Sequence, residues 1–490
     1  MKRTSPLLPT VLFLWVLLVL PFSDVFAQHT DLQKNLVKIL KQKTTPNAIW
    51  AFSVRNEKGE EIAVHNNTML LTPASNLKLL TTSAILEELG PDFRYVTNIY
   101  GEGHQQGNTW IGNLHIVGSG DPSINGDFYD NDTLFVFKKW AQQLRSLGID
   151  SISGNVFGNT SFFDNEYLPK SWNWSDIPYY YAPEIGPLSF NSNTIFVTIT
   201  ANGRPGSMPD MHWFPFNTDY VKINNKQIIT KPGTPFRESY RRMPGSNTIN
   251  IANRLPVGYV ETESITISDP TQFFLDSFVK FLQQDGFGLN VRVHEDPFPH
   301  NWQDSRYVVL ASHDSVPLKD LIKRANKQSD NFYCEMFLKT LAHYRYGGSG
   351  SITNGAKVMT QRFYTMKLDT SHFAIKDGSG LSYNNLVTTK LISDLLSKMK
   401  QGPNDSWYDA SMTIAGVDGT FRNRLKGTPL ENNLRGKSGY ISGARAFSGY
   451  LKAKSGKTIV FSMIANHFRG STSQIDRVHE AMAQLIYESL

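Results

Sequence analysis

Apolar and polar positions divide the chain into recognisable elements. Ala48–Val54 and Glu61–His65 alternate around Lys58-Gly59, the pattern of a hairpin. After Pro73, residues Leu77, Leu80, Ile85, Leu86 and Leu89 recur at helical spacing until Gly90-Pro91 stops the run. From Tyr95 to Thr200 the pattern is one of short β-like runs and turns, among them Trp110–Val117 and Ile152–Phe157. Residues 201–260 are richer in Gly, Pro and Asn. Short strands are expected there at Tyr220–Ile223 and Thr248–Ile251, which points to an inserted β-rich module. Thr271–Asp285 reads as a helix ended by Gly286-Phe287-Gly288, Tyr307–Ser312 as a strand, and Leu318–Tyr346 as largely helical. Ala444–Lys452 and Lys457–Asn466 form a second hairpin around Ser455-Gly456. Ile475, Val478, Met482, Leu485 and Ile486 mark a final amphipathic helix.

The two ends of the chain thus mix helices with strands, and a mostly-β stretch separates them. Domain termini often lie close together. Residues 28–94 and 312–490 are therefore expected to build one α/β (α+β) domain. Residues 95–311 form an inserted accessory region of two subdomains, with the β-rich module near 201–260.

Composition narrows the class. At roughly 150 residues per domain, 490 residues allow about three domains. Apolar residues at 40% suffice for a core, and charged residues at 19% are too few for general disorder. A single Cys excludes an intrachain disulfide framework and a multi-cysteine zinc site. There is no H-E-x-x-H and no close His pair at helical spacing, which argues against a metalloprotease. Lys2 and Arg3, the apolar run Val11–Leu20 and the small residues up to Ala27 read as a secretory signal peptide over residues 1–27. The apolar run is too short to span a bilayer, so no stable membrane span is expected. Export with one Cys fits a bacterial periplasm. A net charge of +6 without Lys/Arg blocks gives nucleic-acid binding little support.

Three short motifs carry candidate chemistry. Ser75-Asn76-Leu77-Lys78 sits at a helix start, where residues three apart share a face and Lys78 can reach the Ser75 hydroxyl. A helix N-terminus stabilises a developing oxyanion, and a desolvated lysine can act as base to a serine nucleophile. Alone the motif is weak, since Ser277–Lys280 and Ser397–Lys400 repeat it. Ser329-Asp330-Asn331 falls between helical stretches, where Ser329 could relay a proton and Asn331 donate to substrate and lysine; a helix cap is the plainer reading. Lys437-Ser438-Gly439 opens the C-terminal strands. There Lys437 offers positive charge, Ser438 a hydroxyl, and Gly439 close approach of a substrate backbone. Lys454-Ser455-Gly456 reads better as a hairpin turn.

In this order the motifs are similar to the set shared by β-lactamases and penicillin-binding proteins. With Gly118-Ser119-Gly120-Asp121-Pro122, with Glu335 after the second motif, and with Asp377–Ser382, Ala415–Thr420 and Ser448-Gly449-Tyr450, the chain resembles the class C low-molecular-mass penicillin-binding proteins, the D-alanyl-D-alanine carboxypeptidase/endopeptidase family. The resemblance implies a penicillin-binding/β-lactamase-like domain that needs no metal and no organic cofactor. Ser75 would be the acylating nucleophile, Lys78 its base, Ser329 an assistant, Asn331 the residue orienting lysine and substrate amide, and Lys437 a carboxylate partner. It implies peptidoglycan stem peptides as substrate and β-lactams as covalent inhibitors. Ser438, Gly439 and Tyr440 would contact substrate, but Tyr440 stands where the family has a small hydroxyl residue. Cys334 also departs from the family pattern, and is expected to be buried and inert. Trp174, Asp176 and Tyr181 resemble the segment lining the family's side-chain pocket; the alternative is an aromatic loop packed under the insertion. Other functions that remain open are a β-lactamase and a wall-binding protein with weakened catalysis. Oligomeric state is not legible.

Overall fold

The computed structural model describes residues 31–42, 45–216 and 220–490. The expected signal peptide over residues 1–27 lies outside them. The described chain divides into two compact units. One comprises the chain up to Asn76 with Val387–Asp405 and Met412–Leu490, and the other Leu77–Leu386 with Ser406–Ser411.

The first unit is built on a six-stranded sheet. Its spatial order is Thr413–Ile414, Arg435–Ile441, Ala444–Lys452, Thr458–Asn466, Ile49–Asn56 and Glu61–His65, antiparallel throughout. Both expected hairpins are present, and Ile49 of the first strand pairs with Asn466 of the last. On Ile49–Asn56, Trp50, Phe52 and Val54 join a core with Leu32, Leu36, Phe461, Ile475, Met482 and Ile486. The intervening Ser53 and Arg55 face the helix Thr389–Gln401. There Ser53 Oγ lies 2.8 Å from Ser393 Oγ, and Arg55 pairs with Asp394 at 3.0 Å. The strand is covered on both faces, which explains six consecutive buried residues where a one-sided strand would alternate.

The second unit contains a mixed five-stranded sheet. Its order is Gly288–Asp296, Ser151–Asn159, Thr109–Val117, Val96–Gln106 and Tyr307–Asp314. The helices Phe135–Ser146 and Pro270–Gln284 pack on it through Phe137, Trp140, Phe274 and Phe278, which form one aromatic cluster. Helix Phe135–Ser146 corrects the expectation of β-like runs alone between Tyr95 and Thr200. Its buried Val136, Phe137, Trp140, Ala141 and Leu144 do follow helical spacing, but the β-branched and aromatic side chains at its start mimic a strand. Between Thr194 and Thr266 the described residues form three small sheets. The short strands expected near residues 220 and 248 lie at Lys222–Asn225 and Thr248–Ile251.

The same unit holds the helices Leu77–Leu89, Leu318–Lys327, Asn331–Tyr346 and Ile352–Thr365. Leu77–Leu86 are all buried, so the first of these is a core helix with no solvent stripe. The helical tract expected over Leu318–Tyr346 is broken at residues 328–330. Ser329 adopts a left-handed φ of 58° and Asp330 caps the following helix, accepting from Tyr333 N–H at 3.4 Å. No described helix is long and apolar enough to cross a membrane.

Candidate active site

Ser75 lies in the 3-10 turn Ala74–Asn76, which runs directly into the helix beginning at Leu77. Its flanks are pinned to the six-stranded sheet. Asn466 accepts from Thr72 N–H at 2.8 Å and donates to Thr72 O at 3.1 Å. Asn76 Nδ2 donates to Ser448 Oγ at 2.6 Å, and Ser448 in turn donates to Ser462 Oγ at 2.9 Å. Ser75 is thus a half-buried residue on a turn whose neighbours are fixed.

The third motif lies on strand Arg435–Ile441 of the same unit. Lys437 is buried, and its Nζ donates to Ser438 O at 2.8 Å. Ser438 Oγ donates to Thr420 Oγ1 at 3.3 Å. Gly439 has a different reason from the expected one. A Cβ there would stand 2.7 Å from Pro73 O, 2.9 Å from Ser75 N and 3.0 Å from Asn76 N. The missing side chain admits the backbone of the serine turn itself, so the space is already filled by protein. Tyr440 is 53% exposed and lies directly opposite Arg445 in the strand register. The Arg445 guanidinium lies 5.9 Å from the Tyr440 ring centroid and forms a bidentate pair with Asp476 at 2.8 and 2.7 Å. Lys454-Ser455-Gly456 is the hairpin turn it resembles, with Gly456 at a φ of 86°.

The lysine of the first motif and the whole second motif belong to the other unit. Lys78 is fully buried. Its Nζ donates to Asn331 Oδ1 at 2.6 Å and to Ser379 O at 2.7 Å. Burial lowers the Lys78 pKa from its ordinary value, against the opposing pull of Cys334, Asp377, Glu335 and Asp330. Asn331 is therefore an acceptor toward the lysine, not the donor expected. Its Nδ2 donates to Tyr181 O at 2.7 Å, and this fixes which way the amide points. Asp330 takes the capping role; burial raises its carboxyl, while Arg324, 3.5 Å away, opposes the rise. Cys334 is buried as expected.

The aromatic segment reaches the same frame. Tyr181 OH donates to Asp176 Oδ1 at 3.3 Å, and the rings of Tyr179 and Tyr181 are parallel at 5.5 Å. Trp174 is 71% exposed. Trp172 Nε1 donates to Asp377 Oδ2 at 2.9 Å. Asp377 and the turn that follows it carry functional atoms that residue types alone do not mark. The nearest signal is the glycine-rich Asp377-Gly378-Ser379-Gly380, with Glu335 four residues after Asn331 on one helix face. Of the repeated S-x-x-K matches, Ser397 gives its hydroxyl to Ser393 O and so serves its own helix.

The sequence profile of the D-Ala-D-Ala carboxypeptidase 3 (S13) family matches residues 32–488. The chain belongs to that family. Among its relatives, a D-alanyl-D-alanine carboxypeptidase of Actinomadura sp. is 28% identical over 459 residues, covering 91% of this chain and 82% of that one. The D-alanyl-D-alanine carboxypeptidase DacB of Haemophilus influenzae is 24% identical, covering 88% of each. The crystal structure of penicillin-binding protein 4 from H. influenzae superposes with a TM-score of 0.82 at 21% identity, covering 93% of this chain and 99% of that one. This S13 member therefore shares that mixed α/β fold with its additional strand-rich region. A second structure of the H. influenzae protein, in complex with a β-lactam, superposes with a TM-score of 0.76.

Proposed function

We propose that this S13 protein is an exported serine DD-carboxypeptidase/DD-endopeptidase that cleaves D-Ala-containing peptide bonds of peptidoglycan stem peptides and is acylated by β-lactams. The observation that carries the reading is Lys78. It is a fully buried amine with depressed basicity, held by the Asn331 side chain and the Ser379 carbonyl, three residues beyond a serine at a helix start. Desolvation favours the neutral amine, the form able to take a proton from a serine hydroxyl.

In this reading Ser75 Oγ attacks the carbonyl carbon of the scissile peptide bond as Lys78 accepts its proton. Backbone N–H groups at the turn and helix start stabilise the oxyanion. The tetrahedral intermediate collapses as the leaving amine takes a proton, with Ser329 as relay. Water then attacks the Ser75 ester and frees the enzyme. Asn331 holds the lysine, and Lys437 supplies positive charge for the substrate carboxylate. Asp176, Tyr181 and Trp174 contact the substrate side chain. Ser438, Gly439 and Tyr440 belong to the strand beside which the peptide lies. Residues 1–27 direct export to a bacterial periplasm.

Intact-protein mass spectrometry after benzylpenicillin treatment, with D-Ala release from a stem pentapeptide, tests this. The expected result is a single long-lived adduct on the wild type, none on Ser75→Ala, and D-Ala release by the wild type alone. Absence of an adduct, or an adduct on Ser75→Ala, overturns the reading. Rapid drug turnover without D-Ala release assigns a β-lactamase instead.

A further inference from the structure

Glu335 is fully buried, one helical turn beyond Asn331. Both its carboxylate oxygens are used: Oε2 accepts the Gly378 N–H and Oε1 the Ser379 N–H, each at 2.8 Å. The carbonyl of that same Ser379 accepts from Lys78 Nζ at 2.7 Å. The turn has little freedom to move. A Cβ on Gly378 would meet Cys334 O at 2.4 Å, and Gly378 O accepts from Thr81 Oγ1 at 2.6 Å. Asp377 braces it from within, taking Gly380 N–H and Asn385 Nδ2 on one oxygen and Ser382 N–H on the other. Burying a carboxylate is costly, and two charge-assisted bonds to adjacent amides offset that cost only in one geometry.

We propose that Glu335 is a positioning residue for Lys78: by gripping the Gly378-Ser379 backbone it fixes the carbonyl that, together with Asn331, sets the direction of the lysine nitrogen. A neutral amine has two N–H groups and one lone pair. Two acceptors at fixed positions orient the lone pair, which is what a general base needs. The inference rests on the reading of Lys78 as the base. Among the groups acting electrostatically on Lys78 are Cys334, Asp377, Glu335 and Asp330, each of which raises its pKa. Burial raises the Glu335 carboxyl itself to about 8, so Glu335 acts on the lysine through position at every pH and through charge only as pH rises past that value, and substitutions can separate the two.

The experiment is the pH dependence of benzylpenicillin acylation in the full chain, expressed per folded protein. Glu335→Gln keeps the shape of the side chain, removes the charge that the carboxyl carries above about pH 8, and presents an N–H₂ to one backbone N–H. The expected result is a plateau rate lowered by about 10- to 100-fold and a midpoint shifted to lower pH. Gly378→Ala displaces the same turn without changing charge; its plateau should fall with the midpoint unmoved. If Glu335→Gln does not fold, Gly378→Ala and Glu335→Asp carry the test, Asp retaining the charge without the reach. A residue that only stabilises the fold would lower the melting temperature and leave rate and midpoint at wild-type values, and that outcome overturns the proposal. Failure of the wild type itself to be acylated would instead remove the reading of Lys78 on which the proposal stands.

Discussion

Gly439→Ala tests how the serine turn is held. The new Cβ would lie 2.7 Å from Pro73 O and 2.9 Å from Ser75 N, where ordinary contact begins at 3.4 Å. Turn and strand must therefore separate by about 0.5–0.7 Å, the shortfall in those contacts. Neither can yield easily. The turn is fixed on both flanks by Asn466 and Asn76, and the strand is paired on its other side with Ala444–Lys452. Overpacking of this kind costs about 1–3 kcal/mol of stability. A reactive group misplaced by about half an ångström loses about 10- to 100-fold in rate, equivalent to roughly 1.4–2.8 kcal/mol in the barrier. The assay is the second-order rate constant for acylation by a fluorescent penicillin, read beside thermal unfolding of the same sample. The expected result is slower acylation with a lowered melting temperature. A variant that unfolds at the wild-type temperature and acylates within about twofold of wild type would refute the argument that Gly439 exists to admit the serine turn.

Two further predictions concern buried groups of the other unit. Burial raises the Asp121 carboxyl from 3.8 to about 6, while its Oδ1 accepts from Ser123 N and Oγ. The folded state thus binds more protons than the unfolded one between those values, and this contribution is present at low pH and lost as pH rises through about 6. Asp121→Asn removes it, so relative to wild type the variant should gain up to about 3 kcal/mol between pH 4 and pH 7. Thermal unfolding at both pH values checks this, and a pH-independent difference contradicts it. His313, whose Nε2 lies 3.7 Å from Asp121 Oδ2, is shifted the opposite way by burial, to about 4. Trp172→Phe deletes the indole donor to Asp377 Oδ2. Losing that bond at roughly 0.5–1.5 kcal/mol should raise KM for a stem peptide by about 3- to 10-fold while β-lactam acylation stays near wild type. Equal losses in both assays would show that the bond supports Lys78 instead of the aromatic segment.

Much of the local structure was legible before any coordinates. The C-terminal hairpin, the helix Leu77–Leu89 and the three motif contexts follow from periodicity, turn residues and motif order, because each depends on neighbours within a few positions. Helix Phe135–Ser146 was missed because Phe135-Val136-Phe137 carries β-type residues; its identity is settled by packing against Phe274 and Phe278, far away in sequence. The break at residues 328–330 was legible in outline from Ser329-Asp330-Asn331, whose short polar side chains favour caps over helix interiors, but the left-handed φ of Ser329 and the Tyr333 N–H that Asp330 accepts are set by the fold.

The sequence by itself determined the family, the order of the motifs and the residue types able to do the chemistry, since these are properties of side chains and their spacing. Only the tertiary structure decided what those residues touch. The second acceptor for Lys78 is a backbone carbonyl, Ser379 O, which every residue possesses and which no motif can mark. Gly439 was legible as a place of close approach, but what approaches it is the backbone of Pro73, Ser75 and Asn76, from the far end of the chain. Asn331 turned from donor to acceptor for a similar reason: the direction of an amide is set by the atoms that surround it, here Lys78 and the Tyr181 carbonyl, and those are assembled only by folding.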